Sequence, residues 1–307
     1  MYHRVADAAY DPWGLSVQPR RFEEQMRALK AFRVPLPLAE FVALLEKRAL
    51  PQLAVGITFD DGYVDNLWVA KPILEEAGVP ATIFLTTGLL GSQQEFWWDE
   101  LARLTLGRRE SAEGVVVIDG RSIAVRLPAL PNNAEVSSTW RAWEPPSTER
   151  ERLYRELWGE LRGLGLAPRE EGMGSVRDLL RNGVSDPSDL PMQPKDVRLL
   201  SGDLIDIGAH SETHRPLTRL PIAERRQEIE GCRTACEALI GRPVAGFAYP
   251  HGDLDEVTKE LVRDGGFQWA CSTRSAAVDP TRFDRFDLPR LRALNWTSHE
   301  MRHAMDA

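Results

Sequence analysis

Apolar residues along the chain fall into two recurring patterns, and the switches between them mark out the elements. Residues 54–59 form a short, largely apolar run that stops at Asp60-Asp61-Gly62, as a strand buried on both faces of a parallel sheet would. Upstream, Phe22, Met26, Leu29 and Phe32 repeat at helical spacing over 21–32, and a second helix is predicted over about 38–47, after Pro35-Leu36-Pro37. Downstream, a helix is expected near 66–77, ended by Gly78-Val79-Pro80, and then a strand over 81–86. The same order returns with a strand at 204–209 and a helix over 221–240, with Pro221 in its first turn and Gly241 past its end. It continues with a strand at 244–249, a helix at 255–263, a strand at 267–272 and a last strand at 288–292.

Between these two blocks the rhythm changes. Phe96-Trp97-Trp98 leads a short helix, and residues 115–118 and 123–127 flank Asp119-Gly120-Arg121-Ser122, a hairpin signal. Residues 128–146 read as irregular, and Thr148 with Glu151 makes a capping box for a helix to about Arg162. A hairpin followed by a helix interrupts the β/α alternation, so about 93–190 reads as an insertion in a single domain spanning 1–307. Outside the insertion, the repeated β/α units predict either a parallel barrel or an open doubly wound sheet.

Composition narrows the function. The net charge is −8 over 307 residues and no basic stripe is present, which argues against a nucleic-acid partner. No apolar run approaches the ~20 residues of a membrane helix. Tyr2-His3-Arg4 follow Met1 directly, without a basic-then-apolar leader. The expected location is therefore cytoplasmic, or exported if a segment precedes this chain. Cys232, Cys236 and Cys271 lack the Cys-x-x-Cys spacing of a zinc or redox motif, and core packing is the plainer reading.

The residues with chemistry gather at predicted strand ends. His210 and His214, in "HSETH", are spaced to share one metal; read alone, they are equally loop histidines in ordinary hydrogen bonds. Asp60-Asp61 end another strand, and the carboxyl ends of parallel strands share one face. A surface turn is the plain alternative for Asp-Asp-Gly, but a buried strand feeding into it speaks against that. Two histidines and an aspartate make a zinc triad with positions left open, and a second aspartate is then free to accept a proton from water.

"TFDDG" and "HSETH" together resemble the polysaccharide deacetylase family, the metal-dependent carbohydrate esterases that include chitin and peptidoglycan deacetylases. The likeness covers about 50–91 and 195–292, with the "MYHRV" start. It implies a distorted parallel (β/α) barrel of about seven strands, hydrolysis of an acetylated saccharide, Asp60 as general base, and a divalent metal, commonly Zn2+, on Asp61, His210 and His214.

Two departures accompany the likeness. The family's third motif often reads Arg-Pro-Pro-Tyr, its arginine orienting the base; here the segment is Phe247-Ala248-Tyr249-Pro250-His251-Gly252. Arg290, in "LPRL", is the candidate replacement. The family's late Leu-x-His, which carries the acid, is also missing. In exopolysaccharide-deacetylase-like members a Tyr-His near the N-terminus takes that place, so His3 is the candidate acid, with a frayed terminal histidine as the plain alternative. Tyr249, Pro250 and His251 are the candidate substrate contacts. Trp97, Trp98, Trp140, Trp143 and Trp158 are either sugar-stacking platforms or, more simply, core of the insertion.

Two rival readings remain. His299-Glu300-Met301-Arg302-His303 matches the His-Glu-x-x-His of zinc proteases, but only four residues follow to supply a third ligand. A carbohydrate-binding barrel that kept its metal and lost turnover draws weight from the missing motif-three arginine, and retention of both Asp60 and Asp61 argues against it.

Overall fold

A computed structural model describes residues 1–131, 139–181 and 187–306. The chain divides into two compact units. One comprises Met1–Asp7, Ser16–Ser92 and Pro191–Ala307; the other, Ala8–Leu15 and Gln93–Leu190.

The first unit is built on a five-stranded parallel sheet. Its order is Trp269–Cys271, Gly246–Ala248, Ile205–Ala209, Ala81–Leu85 and Ile57–Phe59. Single parallel bridges carry each edge one position further, Tyr2 to Phe59 and Leu288 to Cys271. The Met1 nitrogen donates to Leu291 O at 2.8 Å and Ala293 N–H to Met1 O at 2.9 Å, which joins the two edges. Seven parallel positions thus run round a distorted barrel, five of them as strands.

Two predicted strands are shorter than their apolar runs, for local reasons. The 54–59 run splits at Gly56: Ala54–Val55 pairs with Val34–Pro35, and only Ile57–Phe59 joins the main sheet. The 288–292 run makes one bridge at Leu288, because Pro289 follows and has no N–H to donate. The predicted 66–77 helix begins as a π-helix, Asn66–Ala70, and becomes α-helical over Lys71–Ala77. Pro72 stands at that junction and lacks the donor that would continue the ladder.

Helices cover the sheet with the faces their spacing predicts. Pro19–Phe32 buries Phe22, Met26 and Leu29, and Ile222–Ile240 buries Ile229, Cys232 and Cys236. All three cysteines are free and buried, as core packing requires. Among the described residues, no helix is long and apolar enough to cross a membrane.

The second unit holds the hairpin Ala112–Ile118 and Arg121–Leu127, closed by Asp119 and Gly120, both at positive φ. Its helices are Trp97–Thr105, Glu149–Leu161 and Leu166–Leu180, the second with the Thr148/Glu151 capping box. Trp97, Trp98 and Trp140 are buried in its core, and Trp158 packs on Trp13 at 4.5 Å. Only Trp143 of the five tryptophans is open, at 53% exposure. Part of the 128–146 stretch read as irregular lies outside the described residues.

Gly208, two residues before His210, sits at a tightly packed point of the sheet. A Cβ there would meet Phe84 Cδ1 at 2.3 Å and Gly246 O at 3.2 Å. Gly208→Ala is expected to cost about 1–3 kcal/mol, the usual range for overpacking, read as a lower urea midpoint. An unchanged midpoint would show that the Phe84 ring moves aside freely.

Candidate active site

Asp60 and Asp61 leave the sheet directly after Phe59, and His210 directly after Ala209. The loops they enter are tightly wound: Asp61, Ser211 and His214 all have positive φ, at 73°, 64° and 59°. Such backbone costs on the order of 1–3 kcal/mol per residue and persists only where surroundings hold it. Here they do. Thr86 N–H donates to Asp61 O at 3.2 Å, Thr87 N–H to Ser211 O at 3.2 Å, and His214 N–H to Ser211 Oγ at 3.0 Å. Gly62 follows at φ 91°, where a Cβ would meet Leu85 Cδ2 at 2.8 Å, so both conformation and space exclude a side chain.

Three ligand atoms converge. One atom each from Asp61, His210 and His214 lie within 4.8 Å of one another, and all three residues are buried. Asp61 Oδ1 is 3.5 Å from His210 Nε2 and 3.2 Å from His214 Nε2, yet no donor meets it with hydrogen-bond geometry. A buried carboxylate oxygen left this way, facing two imidazole nitrogens, fits a cation among the three. His210 Nδ1 lies 2.7 Å from Ala248 O. The proton therefore sits on Nδ1, and Nε2 presents its lone pair. Burial pushes the Asp61 carboxyl up, but the His214 and His210 imidazoles outweigh it and hold it well below the usual range.

Asp60 has a different partner. Arg290 grips it with two bonds, Nη1 to Oδ1 and Nη2 to Oδ2, each 2.7 Å. The guanidinium also donates through Nε to Ser272 O at 2.9 Å and through Nη1 to Thr58 Oγ1 at 3.2 Å. Burial pushes the Asp60 carboxyl up, and Arg290, with His210 and His3, more than reverses it. His3 is half-buried. Burial lowers its imidazole to about 4, while the charges of Asp61 and Asp60 pull it the other way.

The three candidate substrate contacts separate. His251 is exposed, with φ 58°, and its ring stands against His214 with centroids 4.5 Å apart. Tyr249 is a correction: its side chain is fully buried, and its hydroxyl donates to Phe286 O at 3.0 Å. Tyr249 N–H still pairs with Cys271 O at 3.1 Å, so the strand alternation runs one residue further and turns the ring into the core. Pro250 is likewise buried, beneath the turn that lifts His251 out.

The C-terminal His-Glu-x-x-His has another explanation. Glu300 Oε2 accepts from Thr297 N–H and Oγ1–H, each at 2.8 Å, while Thr297 Oγ1 accepts Glu300 N–H at 3.3 Å. This is a capping box for the helix Ser298–Asp306. Met301 is buried, and His299 and His303 are exposed. Among the described residues, the only metal-competent cluster is Asp61, His210 and His214.

Sequence reasoning missed Glu228, on the Ile222–Ile240 helix. It is 2% exposed and accepts Thr213 N–H at 2.8 Å and Arg215 Nη2 at 3.0 Å, anchoring the loop that carries both histidines. Its signal was an acid four residues before Cys232 and eight before Cys236, in line with the buried stripe.

A parallel α/β barrel with a buried Asp/His/His cluster at its strand ends is a known class, and the chain belongs to the polysaccharide deacetylase family. That family's model matches residues 47–116 and 182–270, about half of the sequence. Over 81 residues the chain is 40% identical to the poly-β-1,6-N-acetyl-D-glucosamine N-deacetylase of Staphylococcus epidermidis, covering 25% of this chain and 27% of that protein. The Staphylococcus aureus enzyme of the same name is 37% identical over 79 residues, again 27% of its length. The fold is shared with solved structures of low identity. The Streptococcus pyogenes deacetylase PplD, in complex with acetate, superposes with TM-score 0.63 at 15% identity, covering 100% of this chain and 96% of that one. IcaB from Ammonifex degensii gives 0.57 at 17%, covering 100% and 95%.

Two measurements follow from this geometry. Glu228→Gln is expected to lower stability by about 1–3 kcal/mol, as loss of a charged hydrogen-bond acceptor does, and to weaken metal affinity about tenfold, as supporting partners of metal ligands do. Urea unfolding and competitive metal titration read the two effects. The double variant His299→Ala/His303→Ala is expected to bind metal with unchanged stoichiometry; loss of the metal would revive the protease reading.

Proposed function

We propose that the protein is a metal-dependent deacetylase that hydrolyses the acetyl group of an acetylated carbohydrate, an N-acetyl on a polysaccharide or glycan precursor. The observation that carries this reading is the division of two adjacent buried carboxylates: Asp61 faces two imidazoles, and Asp60 is gripped by a guanidinium. A site for metal alone has no use for the second. Arg290 supplies the arginine that the third motif lacks, which removes the feature that favoured an impaired carbohydrate-binding barrel. The names of the staphylococcal relatives make poly-β-1,6-N-acetyl-D-glucosamine the first substrate to try.

Asp61, His210 and His214 would hold a divalent cation, Zn2+ by their donor types, and such an ion supplies Lewis-acid polarisation at the acetyl group. Asp60 accepts a proton from the attacking water as the oxygen–carbon bond forms. Arg290 occupies one lone pair on each Asp60 oxygen, which stops the carboxylate turning and keeps it ionised while leaving acceptor capacity for the water. The carbon–nitrogen bond then breaks to give acetate, and the departing nitrogen needs a proton. His3 is assigned to deliver it. With its imidazole held near 4, His3 is neutral at rest and must first receive that proton during turnover; Asp60, whose charge it feels, is the nearby source. His251, exposed beside His214, is assigned to contact the saccharide.

The test is acetate release from a panel of acetylated saccharides. Wild type is expected to release acetate, and a chelator to abolish it. Asp60→Asn is expected to lose at least about 100-fold in kcat, the scale of a lost general base, with metal content retained. His3→Ala is expected to lose kcat while keeping its metal. Chelator-insensitive release would sink the mechanism.

A further inference from the structure

The segment that carries His3 is tied to one dipeptide. Asn66 Nδ2 donates to the His3 carbonyl oxygen at 2.9 Å and to Asp65 Oδ1 at 2.8 Å. Asp65 Oδ1 also accepts Val5 N–H at 3.1 Å, and Asp65 Oδ2 pairs with Arg4 Nε at 3.1 Å. The Arg4 guanidinium lies over the Tyr63 ring, 4.6 Å from its centroid. Arg4, Asp65 and Asn66 are each at most 2% exposed. His3 and the two residues after it are thus all bonded to Asp65-Asn66, which stand just past Asp60-Asp61 on the same loop.

The Asn66 amide has one allowed orientation. Turned over, its oxygen would face His3 O and Asp65 Oδ1, both acceptors. In the orientation present, Asn66 Oδ1 is buried without a hydrogen-bond partner. An apolar side chain of similar volume would spare that oxygen but leave the His3 carbonyl and Asp65 Oδ1 each short of a donor. What asparagine supplies here, at the cost of its own unpartnered oxygen, is a grip on the His3 peptide. The dipeptide also stands where the chain enters the π-helix Asn66–Ala70, a rare turn that recurs beside functional sites.

We infer that Asp65 and Asn66 are positioning residues for His3, locking its backbone to the loop that carries Asp60 and Asp61. This rests on His3 acting as the proton donor in the proposed reaction. The preceding residue, Tyr2, is held by main-chain bonds to the Ile57–Phe59 strand, Tyr2 N–H to Thr58 O at 2.8 Å and Asp60 N–H to Tyr2 O at 3.1 Å. Beyond Tyr2, Arg4–Val5 pairs as a short parallel strand with Ser16–Val17, and the two side chains add the bond to the His3 carbonyl itself.

Asn66→Ala is the first test, because it removes the stranded oxygen along with the two bonds and leaves the Arg4–Asp65 pair in place. Two readouts decide, both on the full chain loaded with Zn2+. The first is the His3 imidazole resonance in a 1H–15N NMR spectrum, which is expected to shift or broaden while those of His210 and His214 stay in place. The second is a kinetic double-mutant cycle with His3→Ala. Asn66→Ala alone is expected to lower kcat about 10- to 100-fold, the scale of a small misplacement of a reacting group, with KM and metal content unchanged. In the His3→Ala background the further loss is expected to vanish. An unmoved His3 resonance, or an equal loss with and without His3, overturns the inference. If wild type releases no acetate, the functional proposal fails, and the resonance by itself still decides the positioning claim. Asp65→Asn, which keeps the size but weakens the hold on Arg4, gives the same two readouts should Asn66→Ala fail to fold.

Discussion

Two neighbouring carboxylates cannot both be buried as bare anions, and everything at the top of this barrel answers that constraint. Desolvation drives each of them toward its neutral form. Asp60 and Asp61 are 1% and 3% exposed, and each faces a different partner. A bidentate guanidinium is a planar, permanently charged partner; a pair of imidazoles is one that could share a metal with the carboxylate. The two side chains are chemically identical, and the difference between them lies in the partner each has.

The barrel is shaped to deliver those partners. Arg290 lies 230 positions from Asp60 in sequence, on the segment that follows the Leu288 bridge and supplies Leu291 and Ala293 to Met1 at the seam. Closing the ring and seating the arginine therefore rest on the same segment. The arginine's remaining donors are spent on Ser272 O and Thr58 Oγ1, which ties together the last and first strands of the sheet. A buried pair of this kind contributes little net stability, because desolvation offsets attraction; what it contributes here is a fixed orientation.

Much of this was legible in the sequence where a local rule governed the outcome. The strand ends followed from apolar runs stopped by charge, and the convergence of Asp61, His210 and His214 followed from placing those ends on one face. Legibility failed where a contact one residue away changed the outcome. Pro289 cut the last strand to a bridge, Gly56 sent one apolar run into two sheets, and one extra main-chain bond at Tyr249 rotated its ring inward. Glu228 went unnoticed because one of four glutamates on a charged helix looks solvated until its burial is seen. The grip of Asn66 on the His3 peptide has no sequence signature, since its partner is a carbonyl that every residue carries.

The bond from His210 Nδ1 to Ala248 O bears on how such a site can change over generations. Its acceptor belongs to the backbone, so no codon change at position 248 short of one that moves the strand can delete it. The tautomer that readies His210 is thereby shielded from mutation. The clasp on Asp60 enjoys no such protection, since a single substitution at Arg290 releases it. A change at position 290 would thus free Asp60 while Asp61, His210 and His214 stay gathered.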